Sequence, residues 1–204
     1  MPADPSELPF ANGDDEAGEA SFGMVFSGGE DKRPVRDLYS IFGRPPTEAD
    51  REASALARRC GLLDTGADNR AERKEFGDVI AANGRLLLAG LGGADDALFA
   101  APTTTEYIVH AILPNGGGGC GRPGPDGLIL AGTTSRKSLV LLGLIEDAIV
   151  GVDVRVGKET LVARMGENAF GLRIQDTGGA TLEALVLGRR DGSVSEIDLR
   201  GLMS

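Results

Sequence analysis

The chain has 204 residues, enough for one ordinary domain with appendages or two small ones, and long enough to bury a core without staples. Its 31 glycines, ten prolines and lack of Trp predict many turns and an aliphatic core of Val, Leu and Ile, and they speak against a helix bundle. A formal charge of −10 sets up a field that repels phosphate backbones and anionic lipid, so neither a nucleic acid nor a membrane surface is the expected partner.

Residues 1–33 hold eight acidic residues and five glycines, with apolar residues such as Phe10 and Phe22 in no sustained period. They read as a flexible, disordered acidic arm. The patch Phe22 to Phe26 is the exception, since it has the composition of an edge strand able to add to a neighbouring sheet or subunit. The acidic start carries no export signal, and the longest apolar runs, Leu86 to Ala94 and Leu139 to Ile145, are too short to span a bilayer. No membrane insertion is expected, and the location is cytoplasmic only by default.

Residues 34–84 read as a helical segment. After Arg44-Pro45-Pro46, Thr47 is a good N-cap with Asp50 three residues on, a short version of the capping box. Ala49, Ala53, Leu56 and Cys60 form one apolar stripe, and Gly61 follows as the stop. A second helix is predicted from about Asp68 to Ala82, burying Ala71, Phe76, Val79 and Ile80 and ending at Asn83-Gly84. Within it Arg70, Arg73 and Lys74 alternate with Glu72 and Glu75, the pattern of a solvated mixed-charge face.

Residues 85–204 read as strands. Leu86 to Ala89, Tyr107 to Leu113, Leu128 to Ala131 and Leu139 to Leu144 come first, several of them separated by Gly-rich loops. Val150, Val152, Val154 and Val156 then alternate with smaller or polar residues before Gly157-Lys158; Phe170 to Ile174 and Leu185 to Leu187 follow, the last leading into a hairpin at Asp191-Gly192. About eight short strands fit, so the fold class expected is α+β: a mostly antiparallel, immunoglobulin-like β-sandwich fronted by two short helices. No internal repeat recurs at a fixed period.

Leu62-Leu63-Asp64-Thr65-Gly66-Ala67-Asp68 resembles the active-site motif of retropepsin-like aspartic proteases, in which two carboxylates share a proton and activate a water. The resemblance would make Asp64 catalytic, its twin supplied by a homodimer. That family's motif follows a strand, whereas here it joins two predicted helices, where Asp64 or Thr65 serves as a cap. Gly116-x4-Gly121 has the glycine spacing of a phosphate-binding loop but continues Arg122-Pro123 in place of the Lys and hydroxyl that phosphate and magnesium require, so it reads as a flexible connection. Cys60 and Cys120 make a zinc site only if the single His110 and a carboxylate join them. Cys60 reads as a small buried hydrophobe, Cys120 as an accessible loop thiol, and in an exported protein the two would instead form a disulfide worth roughly 4 kcal/mol. His110 lies in an apolar strand and no Gly-x-Ser-x-Gly turn exists to partner it, so it reads as a partly buried histidine hydrogen-bonded to backbone. The runs Thr103-Thr104-Thr105 and Thr133-Thr134-Ser135 read as strand entry and loop polarity. No cofactor and no metal are expected.

Three phrases taken together, Ile41 to Thr47, Gly117 to Gly121 with its Cys, and Gly143 to Asp147 followed by Glu167 to Phe170 and Asp191-Gly192, resemble a group of β-rich actinobacterial proteins over about residues 40–200. The shared phrases are turns and strand starts and imply no reaction. Those proteins carry a second cysteine in the strand before the glycine run, where Tyr107 to Leu113 has none. The function expected is a non-enzymatic binding or assembly module acting on a protein partner or on itself through a loop end or strand edge. The alternative is the homodimeric aspartic protease using Asp64.

Overall fold

The structure, a computed structural model, describes residues 20–24, 30–63, 65, 67, 70–90, 97–113, 117–134, 138–175 and 181–200. Among the described residues, thirteen strands form three antiparallel sheets. The first holds β2 (Arg85–Ala89), β3 (Ala97–Pro102), β4 (Ile108–Leu113) and β5 (Gly117–Gly121) in sequential order. The second has the order β1-β6-β7-β11-β10, built from Ala20–Met24, Ile129–Thr134, Ser138–Leu144, Ala169–Gln175 and Arg164–Gly166. The third has the order β13-β12-β8-β9, from Val194–Asp198, Leu182–Arg189, Ile149–Val156 and Glu159–Val162. The expected β-rich α+β architecture is present, but with three sheets where an immunoglobulin-like sandwich has two.

The reason for a third sheet lies in the second. Along β7, Val140, Leu142 and Leu144 pack against β2, β3 and β4, while Leu139 and Leu141 pack the other way against Val152, Val154, Leu185 and Leu187. Alternate residues of this strand therefore enter different cores, and no polar face is left for solvent. The outer sheets keep the alternation of a half-wet surface: β8 buries Val152, Val154 and Val156 and turns Asp153 and Arg155 outward.

Among the described residues three α-helices, α1 (Val35–Leu38), α2 (Glu48–Arg59) and α3 (Arg70–Phe76), lie between β1 and β2. α1 and the 3-10 turn after it carry Val35, Leu38, Tyr39, Ile41 and Phe42 into the core between the first and second sheets. α2 lies on the opposite, outer face of the first sheet, with Ala53 and Ala57 against Ala97, Phe99, Ala101 and Leu113. The layers thus run α2, first sheet, second sheet, third sheet.

Several expectations need correction. The helix predicted over Asp68 to Ala82 stops at Phe76; Val79 instead bridges Thr103 and Ala81–Asn83 forms a 3-10 turn. No residue of α3 is fully buried, because its charges surround it. Strand β3, Ala97–Pro102, is buried at every position, so its sequence shows no alternation to read. Within the stretch read as a loose arm, Ala20–Met24 pairs with β6, from Ala20 opposite Thr134 to Met24 opposite Leu130, adding an edge to the chain's own sheet. The remainder of that arm, 1–19 and 25–29, lies outside the described residues.

Buried charge is used as mortar between layers. Glu146, 3% exposed, is paired with Arg33 at 2.6 Å and Arg189 at 2.7 Å, and Arg189 also pairs with Asp126. Asn168 donates from Nδ2 to the Ile145 carbonyl and Asp147 Oδ1 and accepts from the Ile41 backbone N–H, so turns from three regions meet on one side chain. These are the phrases singled out in the sequence. Their role here is to lock loops.

Candidate functional site: a groove beside helix α2

Helix α2 is fixed from both ends of its first turn. Thr47 accepts from the Asp50 N–H through Oγ1 while Asp50 accepts from the Thr47 N–H, the predicted reciprocal cap. Asp50 also accepts from Arg44 Nη1 at 2.7 Å and from the Leu86 N–H at 2.9 Å, which clamps the helix start to strand β2. Burial pushes this carboxyl up, yet the Arg44 guanidinium and the N–H donors of Thr47 and Leu86 outweigh it and hold Asp50 below the ordinary carboxylate range. Beneath, the buried Arg85 guanidinium donates to the carbonyls of Ile41, Ala82, Gly84 and Arg44, closing the corner.

This clamp sets the rotation of the helix. Asp50, Ala53 and Ala57 face inward, so the expected stripe of Ala49, Ala53, Leu56 and Cys60 is displaced: Ala49 and Cys60 are exposed and Leu56 is half-buried. Ala49, Ala53 and Leu56, with Glu52 and Arg59, instead form one wall of a groove of about 880 Å³ whose floor is Leu86, Ala97 and Leu113. A smaller groove of about 370 Å³ runs along the other flank, between Arg51, Ser54 and Arg58 and the turn at Ala81 and Ala82. The larger groove is mostly apolar, and its rim carries Glu52, Arg58 and Arg59. Arg58 and Arg59 end the helix exposed, with no ion pair to either among the described residues. The cations also oppose the negative end of the helix dipole.

Among the described residues, Cys60, Cys120 and His110 are not brought together. Asp64 lies outside the described residues, as do Gly66 and Asp68; the motif sits in the connection between α2 and α3, where the Leu62 N–H returns to the Ala57 carbonyl. Cys60 is exposed at the C-cap of α2 because the Asp50 clamp rotates it off the buried side, and both cysteines are free thiols. Cys120 is in strand β5, not on a loop, and burial pushes its thiol up to about 11, so it is protonated at neutral pH. His110 lies opposite Gly119 with its ring in the core between the first and second sheets, while Cys120 pairs with Val109 on the other face. Among the described residues neither ring nitrogen of His110 has a hydrogen-bond partner, where a backbone bond was expected, and burial lowers its pKa to about 4. Thr103 closes the β3–β4 turn by accepting from the Thr105 and Tyr107 N–H groups.

The glycine run is structural as well. Gly117–Gly121 forms β5 beside β4, and a Cβ at Gly118 would stand 2.4 Å from the His110 carbonyl oxygen; one at Gly119 would stand 3.2 Å from His110 Cε1. Only glycine permits so close an approach. Among the described residues no three His, Cys, Asp or Glu side chains are grouped so as to hold a metal ion, and no helix is long and apolar enough to cross a membrane.

Compared with known protein families, curated proteins and solved structures, the chain matches none. The groove is therefore interpreted from its own geometry.

Proposed function

We propose that the protein is a non-enzymatic binding module that captures a protein segment in the groove between α2 and the outer face of the first sheet. The observation that supports this is the groove itself: an apolar trough of about 880 Å³ beside two exposed arginines that have no ion pair among the described residues. Apolar clefts with a few convergent polar groups are the usual form of a binding site. The chemistry that fits is a short stretch with two apolar side chains to fill the trough and acidic residues to meet Arg58 and Arg59.

A peptide-display selection on the full chain tests this. Enriched peptides should carry paired apolar residues flanked by Asp or Glu. Their affinity should fall at least tenfold in Ala49→Trp, which fills the rim from an exposed position, and in Arg58→Glu with Arg59→Glu. No enrichment, or binders indifferent to all three substitutions, would overturn the reading.

A further inference from the structure

We infer that β5 is a latch released by acid: when His110 takes up a proton, Gly117–Gly121 leaves β4 while the other strands of the three sheets stay folded. The device is independent of the groove reading, since it works at the β5 edge of the first sheet, opposite the β2 edge.

The ring is the first argument. His110 is the chain's single histidine and is 5% exposed, and among the described residues neither of its nitrogens has a hydrogen-bond partner. Protonated in place, it would be a buried cation with no counterion, a state that desolvation strongly disfavours. Proton uptake therefore goes with an opening that brings water to the ring.

The surroundings offer that cation nothing. β4 packs beside β3 and β5 and against β6, with β1 next to β5; β1, β3 and β6 contain no ionisable side chain, and β5 has only the Cys120 thiol, beside Val109 on the other face. Charged groups of the adjoining segments are engaged elsewhere. Glu106 accepts from the Val35 N–H at 2.6 Å, Arg122 lies over the Tyr107 ring, Arg36 and Asp37 pair with each other at the surface, and Arg85 of β2 donates to backbone carbonyls. Tyr39, which lines the same core, donates its hydroxyl to the Gly127 carbonyl. Arg173 of β11 stands opposite Val140 in a strand that packs against β2, and a cation cannot stabilise another.

The strand beside the ring is the second argument. A Cβ on Gly119 would stand 3.2 Å from His110 Cε1 and 3.5 Å from Nε2, so the ring occupies the space that a side chain of β5 would take. Among the described residues β5 is the last strand of its sheet and is bonded to β4 alone, whereas β3 is bonded on both sides. Every position of β3 and β4 is buried, while Gly118 is exposed and Gly119, Cys120 and Gly121 are half-buried. All of β5 but Cys120 is glycine, which gives up little side-chain burial on release and regains the most backbone freedom. Of the strands beside His110, β5 thus leaves at least cost. Its release makes β4 the sheet edge, puts the ring in reach of water, and bares a strand edge open to pairing.

Residue-resolved amide hydrogen exchange on the full chain tests this, each rate divided by the intrinsic rate at the same pH. The imidazole passes from a pKa of about 4 in the core to its ordinary 6.5 in water, so the opening of β5 should become about tenfold more favourable from roughly pH 7.5 to 5.5. The β5 amides should be less protected than those of Leu139–Leu144 at every pH, and their protection should fall by that factor. Edges that open without exposing His110, Glu159–Val162 and Val194–Asp198, should show no such fall. His110→Leu and His110→Gln, neither of which titrates, should each remove the pH dependence from β5. If β5 is as protected as Leu139–Leu144, the ring is reached only by unfolding the whole molecule and the latch is overturned. Weak protection of β5 that ignores pH, or a pH dependence that survives in either variant, overturns it equally, because the opening would then admit no proton to His110.

Discussion

His110 is a residue whose chemistry the fold alters strongly. In the unfolded chain its imidazole titrates near 6.5, but in the core, where neither nitrogen has a hydrogen-bond partner among the described residues, burial lowers the pKa to about 4. A lowered histidine pKa means that the unfolded state binds the proton first. Stability is therefore complete above about pH 6.5 and is lost as pH falls toward 4, by about 3 kcal/mol in all. Urea unfolding at a series of pH values should show this decline, and His110→Leu should remove most of it. A decline of equal size in the variant would show that another group titrates. Asp50 acts in a lower window, since its depressed pKa keeps its contribution present above the ordinary carboxylate value and loses it only as pH falls through the folded value. The sequence placed His110 in an apolar strand, and its burial followed; the missing hydrogen bond depended on which residues stood across the sheet.

At the scale of elements, β5 and α2 show where local pattern stops being sufficient. A glycine run has little strand propensity, so Gly117–Gly121 reads as a loop, yet at Gly118 the close approach of β4 leaves no room for a side chain. Gly118→Ala should therefore cost roughly 1–3 kcal/mol in chemical denaturation. Gly121→Ala, whose added methyl meets nothing within 4 Å, should be neutral within about 0.5 kcal/mol. Equal losses at both positions would mean that strand flexibility, not close approach, demands the glycines. In α2 the cap was legible because Thr47 and Asp50 act on neighbours three residues away. The facing of the helix was not, because it is set by the Arg44 and Leu86 contacts with Asp50, which come from outside the helix. The same rotation that exposes Cys60 turns Ala49 and Leu56 into groove wall, so the misread stripe and the unforeseen site have one cause.

For the whole molecule, the consequence of stacking three sheets is a gradient of protection. The central strands β6, β7 and β11 have covered faces on both sides, whereas β9 and β13 are edges with largely exposed residues. Hydrogen exchange should be slowest for the amides of Leu139–Leu144, at the limit of global unfolding, and much faster in Glu159–Val162 and Val194–Asp198. Comparable rates across these strands would contradict the layered core. Most strands after Arg85, the first helix start and the hairpin at Asp191-Gly192 were determined by the sequence alone, because alternation, capping and turn chemistry act over two to four residues. Tertiary structure alone decided the number of sheets, the strand identity of Ala97–Pro102 and Gly117–Gly121, and the groove beside α2. Each of those depends on what lies across a sheet or against a helix, and residues distant in the chain leave no period in the sequence that faces them.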